Sequence, residues 1–483
     1  MSRPFLVLCV VMAFTSSAQV RAGAETATAA PADQQNATET KIRNVLFLIS
    51  DDLKASALGC YGNKVCRTPN IDALAARGMV FERAYCQGTV CAPSRTSFMF
   101  SRYRGEGDVN LGQYLKRRGL YSARVGKIYH MKVPGDIIAG TNGRDIPESW
   151  TERFNSPGQE AHTPGDYACL NLNIFTTKLD GRQSTAMPHR MFVSVQYDGD
   201  GSDQPDHKSA DKAIDLLRRH QSKPFFLAVG FVRPHYPMVA PRQFFAGYQW
   251  EAMPLPLSVE NDLEDIPPFG RPRGLSAQNG IDKFPDNQKR MWAAYYASVE
   301  FMDAQLGRVL NELDRLGLRK STAVVFCSDH GYHLGEHTFW QKNNLHEEVI
   351  RVPLIISTPG AAAGRSRSIV ELLDIFPTVA DLLGMPATAA GLHGVSLVPV
   401  LNDPQATVKA GAMSFAKGTS WRTNDWAYMR YSDDTEELYD MRRDPHQFTN
   451  LAQSKPHQQT RRRLSAALAE QMKRFRIQGK RSR

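Results

Sequence analysis

Asn44-Val-Leu-Phe-Leu-Ile-Ser-Asp-Asp52 is the stretch on which the fold turns. Its unbroken apolar run is shorter than an ordinary helix and ends in two acids. It reads as a strand buried on both faces whose carboxyl end delivers Asp51 and Asp52. Comparable runs recur at 225–231, 323–327 and 353–356, and helical spacing of apolar residues predicts helices over 70–77, 111–118, 208–220, 291–316 and 370–383. Gly78, Gly119 and Gly317 fall just past three of these as stop signals. Strands alternating with helices predict an α/β fold, a doubly wound sheet flanked by helices. Ligands of such sheets bind beyond the carboxyl ends of the strands, where Asp51, Asp52, Asp329 and His330 fall.

With 483 residues the chain has length for two or three domains and a large core. Its 42% hydrophobic and 22% charged residues exclude wholesale disorder, collagen and coiled coil. The formal charge of +10 is concentrated at one end, since ten Lys or Arg residues face Glu470 alone from Lys455 onward. Such a tail is either a loose electrostatic anchor for a polyanion or a solvated basic helix, expected over 460–476. Arg3, the apolar run from Phe5 to Phe14 and small residues around Ala22-Gly-Ala24 read as a signal peptide over 1–24. A polar, Ala- and Thr-rich linker follows over 25–41, with a glycosylation sequon at Asn36-Ala-Thr38. The main domain is expected over 42–402 and a smaller α+β subdomain with the basic tail over 403–483. No later stretch is apolar enough for a transmembrane segment, so the expectation is an exported protein, periplasmic or secreted. The Cys content is too low for a disulfide framework, although Cys60 and Cys66 are close enough in sequence to pair.

An Asp pair after a strand is by itself most often a turn or an N-cap. Here Ser328-Asp329-His330-Gly331 repeats the arrangement at a second strand end, and clustered carboxylates need a cation to offset their repulsion. Mostly oxygen donors favour Ca²⁺, with Mg²⁺ as the alternative, over zinc. Between these segments stands Cys91-Ala-Pro-Ser-Arg95. This pattern resembles the signature C-x-P-S-R of the sulfatases, a formylglycine-dependent family with an alkaline-phosphatase-like fold. Gly126-Lys127-Ile-Tyr-His130, Arg233-Pro-His235, Leu334-Gly-Glu-His337 and Lys342 follow in that family's order. Leu58-Gly-Cys-Tyr-Gly62, Glu371-Leu-Leu-Asp-Ile-Phe-Pro-Thr378, Glu437-Leu-Tyr-Asp440 and His330 resemble most the iduronate-2-sulfatase-like members. The likeness runs from about residue 42 to 455.

The resemblance implies that Cys91 is oxidised after translation to formylglycine by a dedicated modifying enzyme. One oxygen of the hydrated aldehyde would attack sulfur and the other would expel sulfate. It implies a metal held by Asp51, Asp52, Asp329, His330 and the group derived from Cys91. It also implies that Arg95, Lys127 and His130 hold the hydrated aldehyde, with His130 the base of its regeneration. His235, a general acid, and Lys342 would surround the sulfate and the leaving oxygen. The implied substrate is a sulfated carbohydrate, a 2-sulfated uronic acid at a glycan end, with no role for nucleic acid. His333 and His337 are left out of the metal set, and Asp198-Gly-Asp-Gly-Ser-Asp203 lacks the Glu of a calcium loop at its twelfth position. The chain departs from the family at Met99-Phe-Ser-Arg102 and at the short Tyr103-Arg-Gly-Glu-Gly-Asp-Val109, which is expected to alter one pocket wall. Two other readings stay open: a sulfated-glycan-binding pseudoenzyme whose Cys91 remains a thiol, and a phosphoesterase of the same superfamily.

Overall fold

The computed structural model describes residues 41–182, 186–272, 274–385 and 391–477. The signal peptide, residues 25–40 of the linker with their sequon, and Lys480, Arg481 and Arg483 of the tail lie outside the described residues.

Asn44–Asp51 is a strand, and all eight of its residues are buried. It pairs in parallel with Thr322–Ser328 on one side and Phe225–Pro234 on the other. Both faces are covered, which is why no polar residue interrupts it. Leu46 and Leu48 face a core shared with the helices Pro69–Ala75, Pro205–His220 and Pro285–Arg315. Val45, Phe47 and Ile49 face a second core with the helices Cys91–Phe100, Leu111–Lys116 and Ile375–Leu382.

Across the nine-stranded sheet the order is Arg351–Val352, Met79–Tyr85, Leu354–Ser357, Thr322–Ser328, Asn44–Asp51, Phe225–Pro234, Tyr121–Gly126 and Glu152–Phe154, with Gly364–Glu371 also pairing Met79–Tyr85. The centre is parallel, while Leu354–Ser357 runs antiparallel to Thr322–Ser328, so the sheet is mixed. One expected helix starts late: Val370 and Glu371 end the strand Gly364–Glu371, and the α-helix begins at Ile375. The reason is polar. Buried Glu371 accepts hydrogen bonds from Met413 N–H and Tyr103 Oη, both at 2.8 Å, and Asp374 folds back to accept from Glu371 N–H at 2.8 Å.

A side sheet of Asp166–Cys169, Ile174–Thr176, Val193–Tyr197 and Met238–Pro241 lies off the main path. Near the C-terminus Ala412–Phe415, Gly418–Arg422, Trp426–Tyr431 and Glu436–Asp440 form an antiparallel meander. The basic helix, Gln458–Arg474, covers it by burying Leu464 and Leu468 among Tyr103, Trp421 and Tyr428. It is therefore an anchored amphipathic helix and not a free tail. Lys409 ties this region to the main sheet through Glu371 and Asp374. Cys60 and Cys66 do not pair; they are free thiols, as are Cys86, Cys91, Cys169 and Cys327. Among the described residues no helix is long and apolar enough to cross a membrane.

Candidate active site

Asp51 closes its strand, and Asp52 follows with a left-handed φ of 64°. Three hydrogen bonds hold this turn. The Tyr295 hydroxyl donates to the Asp52 carbonyl (2.7 Å) and accepts from Lys54 N–H (3.0 Å), while Asp52 N–H donates to Asp329 Oδ1 (3.2 Å). Asp329 and His330 leave the neighbouring strand, where the parallel register of Ser50 with Ser328 sets the two strand ends side by side. Sequence reading missed Tyr295, which sits on the buried face of a long helix and looks there like any core aromatic.

Cys91 opens the helix Cys91–Phe100 and is buried. Its Sγ lies 3.3 Å from Lys342 Nζ, 3.4 Å from His330 Nε2, and 4.0 Å from both Lys127 Nζ and Asp52 Oδ1. One turn on, fully buried Arg95 donates Nε–H to Asp329 (2.8 Å) and Nη2–H to Asp51 (3.0 Å). Its Nη1 donates to the carbonyls of Lys127 and Ile128. Lys127 pairs with Asp51 and Lys342 with Asp52. His235 Nε2 stands 3.7 Å from Asp52 Oδ2. Lys127 follows the strand Tyr121–Gly126 and donates its N–H to Gly230 O (3.1 Å). A Cβ on Gly230 would fall 2.1 Å from the Lys127 carbonyl, so this approach requires glycine.

The folded chain thus brings together every singled-out residue except His130, which sits beside the cluster with its Nδ1 buried and without a hydrogen-bond partner among the described residues. His333 and His337 point elsewhere: His333 Nε2 faces Asn344 (3.3 Å), and His337 is held by Asp262 (2.9 Å) and the His446 carbonyl (2.8 Å). In the 198–203 loop, Asp198 pairs with Arg242 and Asp203 accepts from the Tyr197 hydroxyl.

Three carboxylates face three permanent cations in this cluster. Burial disfavours the ionised form of Asp51, but Lys127 and Arg95 outweigh it and hold its pKa well below the ordinary carboxylate range. For Asp52 burial prevails, aided by Asp51 and Asp329 against Lys342 and His330, and its pKa is raised. Burial and the Asp51 charge push the Cys91 thiol up despite Lys127 and Lys342. A thiol kept protonated is a poor nucleophile. Burial and the neighbouring lysines depress both histidines, His235 well below its usual value and His130 to about 4.

Two tautomers follow from geometry. His330 Nδ1 lies 3.0 Å from the Gly331 carbonyl and His235 Nδ1 lies 2.7 Å from the Tyr236 carbonyl. A carbonyl only accepts, so each Nδ1 carries a proton and each Nε2 is turned toward the acids. Asp51, Asp52, Cys91 and His235 place potential ligand atoms within 4.8 Å of one another, as do Cys91, Asp329 and His330. Asp52 Oδ2 is buried with no hydrogen-bond partner among the described residues. Carboxylate oxygens, an imidazole lone pair and an orphaned buried oxygen fit a divalent cation. By distance His235 falls in the first of these groups as well.

Fold and site together define a hydrolytic enzyme for a small anionic ester. The family model for Sulfatase matches residues 43–385, and that for N-sulphoglucosamine sulphohydrolase, C-terminal, matches residues 335–474. The chain belongs to the sulfatase family and is a sulfuric ester hydrolase. Iduronate 2-sulfatase of Homo sapiens is 33% identical over 431 residues, covering 77% of this chain and 72% of that one. An enzyme solved in complex with its substrate D-glucosamine-2-N,6-O-disulfate superposes with a TM-score of 0.70 at 22% identity, over 90% of this chain and 98% of that one. A phosphonate monoester hydrolase from Silicibacter pomeroyi superposes with a TM-score of 0.73 at 20% identity, over 89% and 95%. These two structures share the fold, and the sequence relatives assign the ester.

Proposed function

We propose that this enzyme removes sulfate from a sulfated, uronate-containing carbohydrate in the manner of iduronate 2-sulfatase, with formylglycine made from Cys91 and a divalent cation, Ca²⁺ or else Mg²⁺. The observation that carries this reading is the convergence on Cys91 Sγ of Lys342, His330, Lys127 and Asp52, all within 4.0 Å. Asp51, Asp52, Asp329 and His330 would hold the cation. When bound, it supplies charge neutralisation and lowers the pKa of the attacking oxygen.

The chain's own residues do the rest. Lys127 and Lys342 stay protonated because their carboxylate partners outweigh burial, so both remain donors for sulfate oxygens. Arg95 fixes Asp51 and Asp329 relative to the helix that carries position 91. His130, neutral above about pH 4, is free to take the proton released when the aldehyde is regenerated. His235, its Nδ1–H engaged by the Tyr236 carbonyl, offers Nε2 to the leaving oxygen and acts as an acid there once protonated. The start of the Cys91–Phe100 helix adds its positive dipole end to the same point.

Export through the leader at 1–24, a catalytic domain over 42–402 with the subdomain at 403–483, and a partner that oxidises Cys91 belong to the same proposal. Mass spectrometry of the peptide spanning Cys91, from protein made in its native host, tests it. Formylglycine weighs about 18 Da less than the thiol. An unmodified thiol with no turnover of any sulfate ester supports the glycan-binding pseudoenzyme instead. Preference for an aryl phosphate over an aryl sulfate supports the phosphoesterase.

A further inference from the structure

A cleft of about 1300 Å³ opens beside the Cys91 helix. Val90 and Ala92, which flank Cys91, form part of its lining, together with Thr89 and with Asn343 next to Lys342. Tyr103 to Glu106 of the atypical loop and the turns of the C-terminal meander, which meet where Arg104 packs on Phe415, also line it. The ionised groups in this lining are Arg104, Arg144, Lys417 and Arg430 against Glu106 and Asp434. Asp434 is already engaged by Arg430 at 2.8 Å. The remaining balance is cationic.

Two of these cations, Arg104 and Arg144, are exposed to the cleft and stand outside the ion pairs of the described residues. The Arg104 guanidinium lies 4.4 Å over the Phe415 ring and has no carboxylate partner among the described residues. Desolvation lowers its pKa from the usual guanidinium value while the residue itself stays exposed. The backbone of Arg144 is held beside His130. Its backbone N–H donates to the His130 carbonyl at 2.8 Å. The preceding Gly143, at φ 58°, approaches so closely that a Cβ there would fall 2.5 Å from the same carbonyl. Its guanidinium too lacks a carboxylate partner among the described residues. A guanidinium with no carboxylate partner is suited to a planar or tetrahedral oxyanion.

We propose that Arg104 and Arg144 form a second anion subsite at the mouth of the active site, which selects sulfated sugars bearing a second negative group on the same or the adjoining ring. This rests on the sulfatase reading above. The buried lysines take the ester that is cut; the two arginines take a group that is not, either a uronate carboxylate or a further sulfate. They are specificity residues and make no contact with the reacting atoms.

The test is steady-state kinetics on the formylglycine-bearing enzyme and its Arg104→Gln and Arg144→Gln variants. The substrates are 4-methylumbelliferyl sulfate, a 2-sulfated uronate disaccharide, its carboxyl-reduced analogue, and a disaccharide with a second sulfate in place of the carboxylate. Each variant is expected to lose about tenfold in kcat/KM on the doubly charged substrates, chiefly through KM, while aryl sulfate turnover stays within about twofold. Loss on the uronate but not the disulfate assigns the subsite to carboxylate, and the reverse assigns it to sulfate. The carboxyl-reduced analogue should erase the difference between variant and wild type. Equal losses on aryl sulfate and disaccharide, or no loss on the disaccharides, overturn the proposal. A binding arm separates it from the reading it rests on. Titration calorimetry with the desulfated uronate disaccharide and with the disulfated one should show about tenfold weaker binding of at least one of them to the variants. That result supports the subsite even if no ester is turned over, an outcome that would refute the sulfatase reading alone. Unchanged affinity for both overturns the subsite.

Discussion

Replacing Arg95 by Met probes the centre of the site. The arginine is fully buried and donates to four acceptors, Asp51, Asp329 and the carbonyls of Lys127 and Ile128. Met keeps the stem and removes every donor, which leaves two buried carboxylates short of a counter-charge. Breaking a buried pair by removing one partner costs about 3–5 kcal/mol. For about 440 folded residues at about 2.1 cal/mol/K each, the unfolding entropy is about 0.9 kcal/mol/K, so the melting temperature should fall by about 3–6 °C. The assay is paired thermal unfolding at one scan rate, in EDTA and in millimolar Ca²⁺. The variant's acids have lost a competing cation, so Ca²⁺ should raise its melting temperature by more than it raises that of the wild type. Melting within about 1 °C of the wild type in EDTA would refute the assignment of Arg95 as the counter-ion that holds the two strand ends together.

Three further outcomes follow from the same geometry. Tyr295→Phe removes the hydroxyl between Lys54 N–H and the Asp52 carbonyl; denaturant titration should show a loss of about 1–3 kcal/mol, and kcat should fall with KM nearly unchanged. Gly230→Ala forces the Lys127 carbonyl away from its neighbour; an activity loss of at least about tenfold in a protein that still folds by circular dichroism is expected, and full activity would contradict the packing argument. His393, whose Nδ1 accepts from Tyr103 N–H at 3.3 Å, has its pKa depressed by burial and then by Arg102 and Lys409 from 6.5 to about 4; the unfolded chain binds the proton first, so stability present above pH 6.5 is lost as pH falls toward 4, and His393→Asn should flatten that slope in urea titrations.

What could be read from the chain depended on whether a residue's neighbours were apolar. Asn44–Asp51, Phe225–Pro234 and Thr322–Ser328 were legible because a strand covered on both faces writes an unbroken apolar run, and the acids at such ends stand out. Tyr121–Gly126 was not legible. Arg124 sits in it and yet is buried, since its guanidinium is taken up by Asp145, Asn142, Asn155 and the Phe154 carbonyl. Gly364–Glu371 hid in the same way behind Arg365 and Arg367, which point outward to Glu82. The site residues were legible by resemblance because their spacing follows the sheet. Tyr295 and the two cleft arginines carry no such spacing, since each owes its place to tertiary contact.

The charge balance of the cluster explains why so many ionisable groups can be buried together. Asp51, Asp52 and Asp329 are matched by Arg95, Lys127 and Lys342, so the protein alone pays little net Coulombic penalty. A divalent cation entering that neutral set leaves an excess of two positive charges, which a sulfate monoester and an ionised nucleophile together cancel. Cation and ester are each better accommodated with the other present, and the same free energy couples them in both directions. Electroneutrality also limits what the cleft must do. With a scissile sulfate balanced inside the cluster, any further charge on a substrate would be met outside it, and the proposed place is the cleft that Arg104 and Arg144 line.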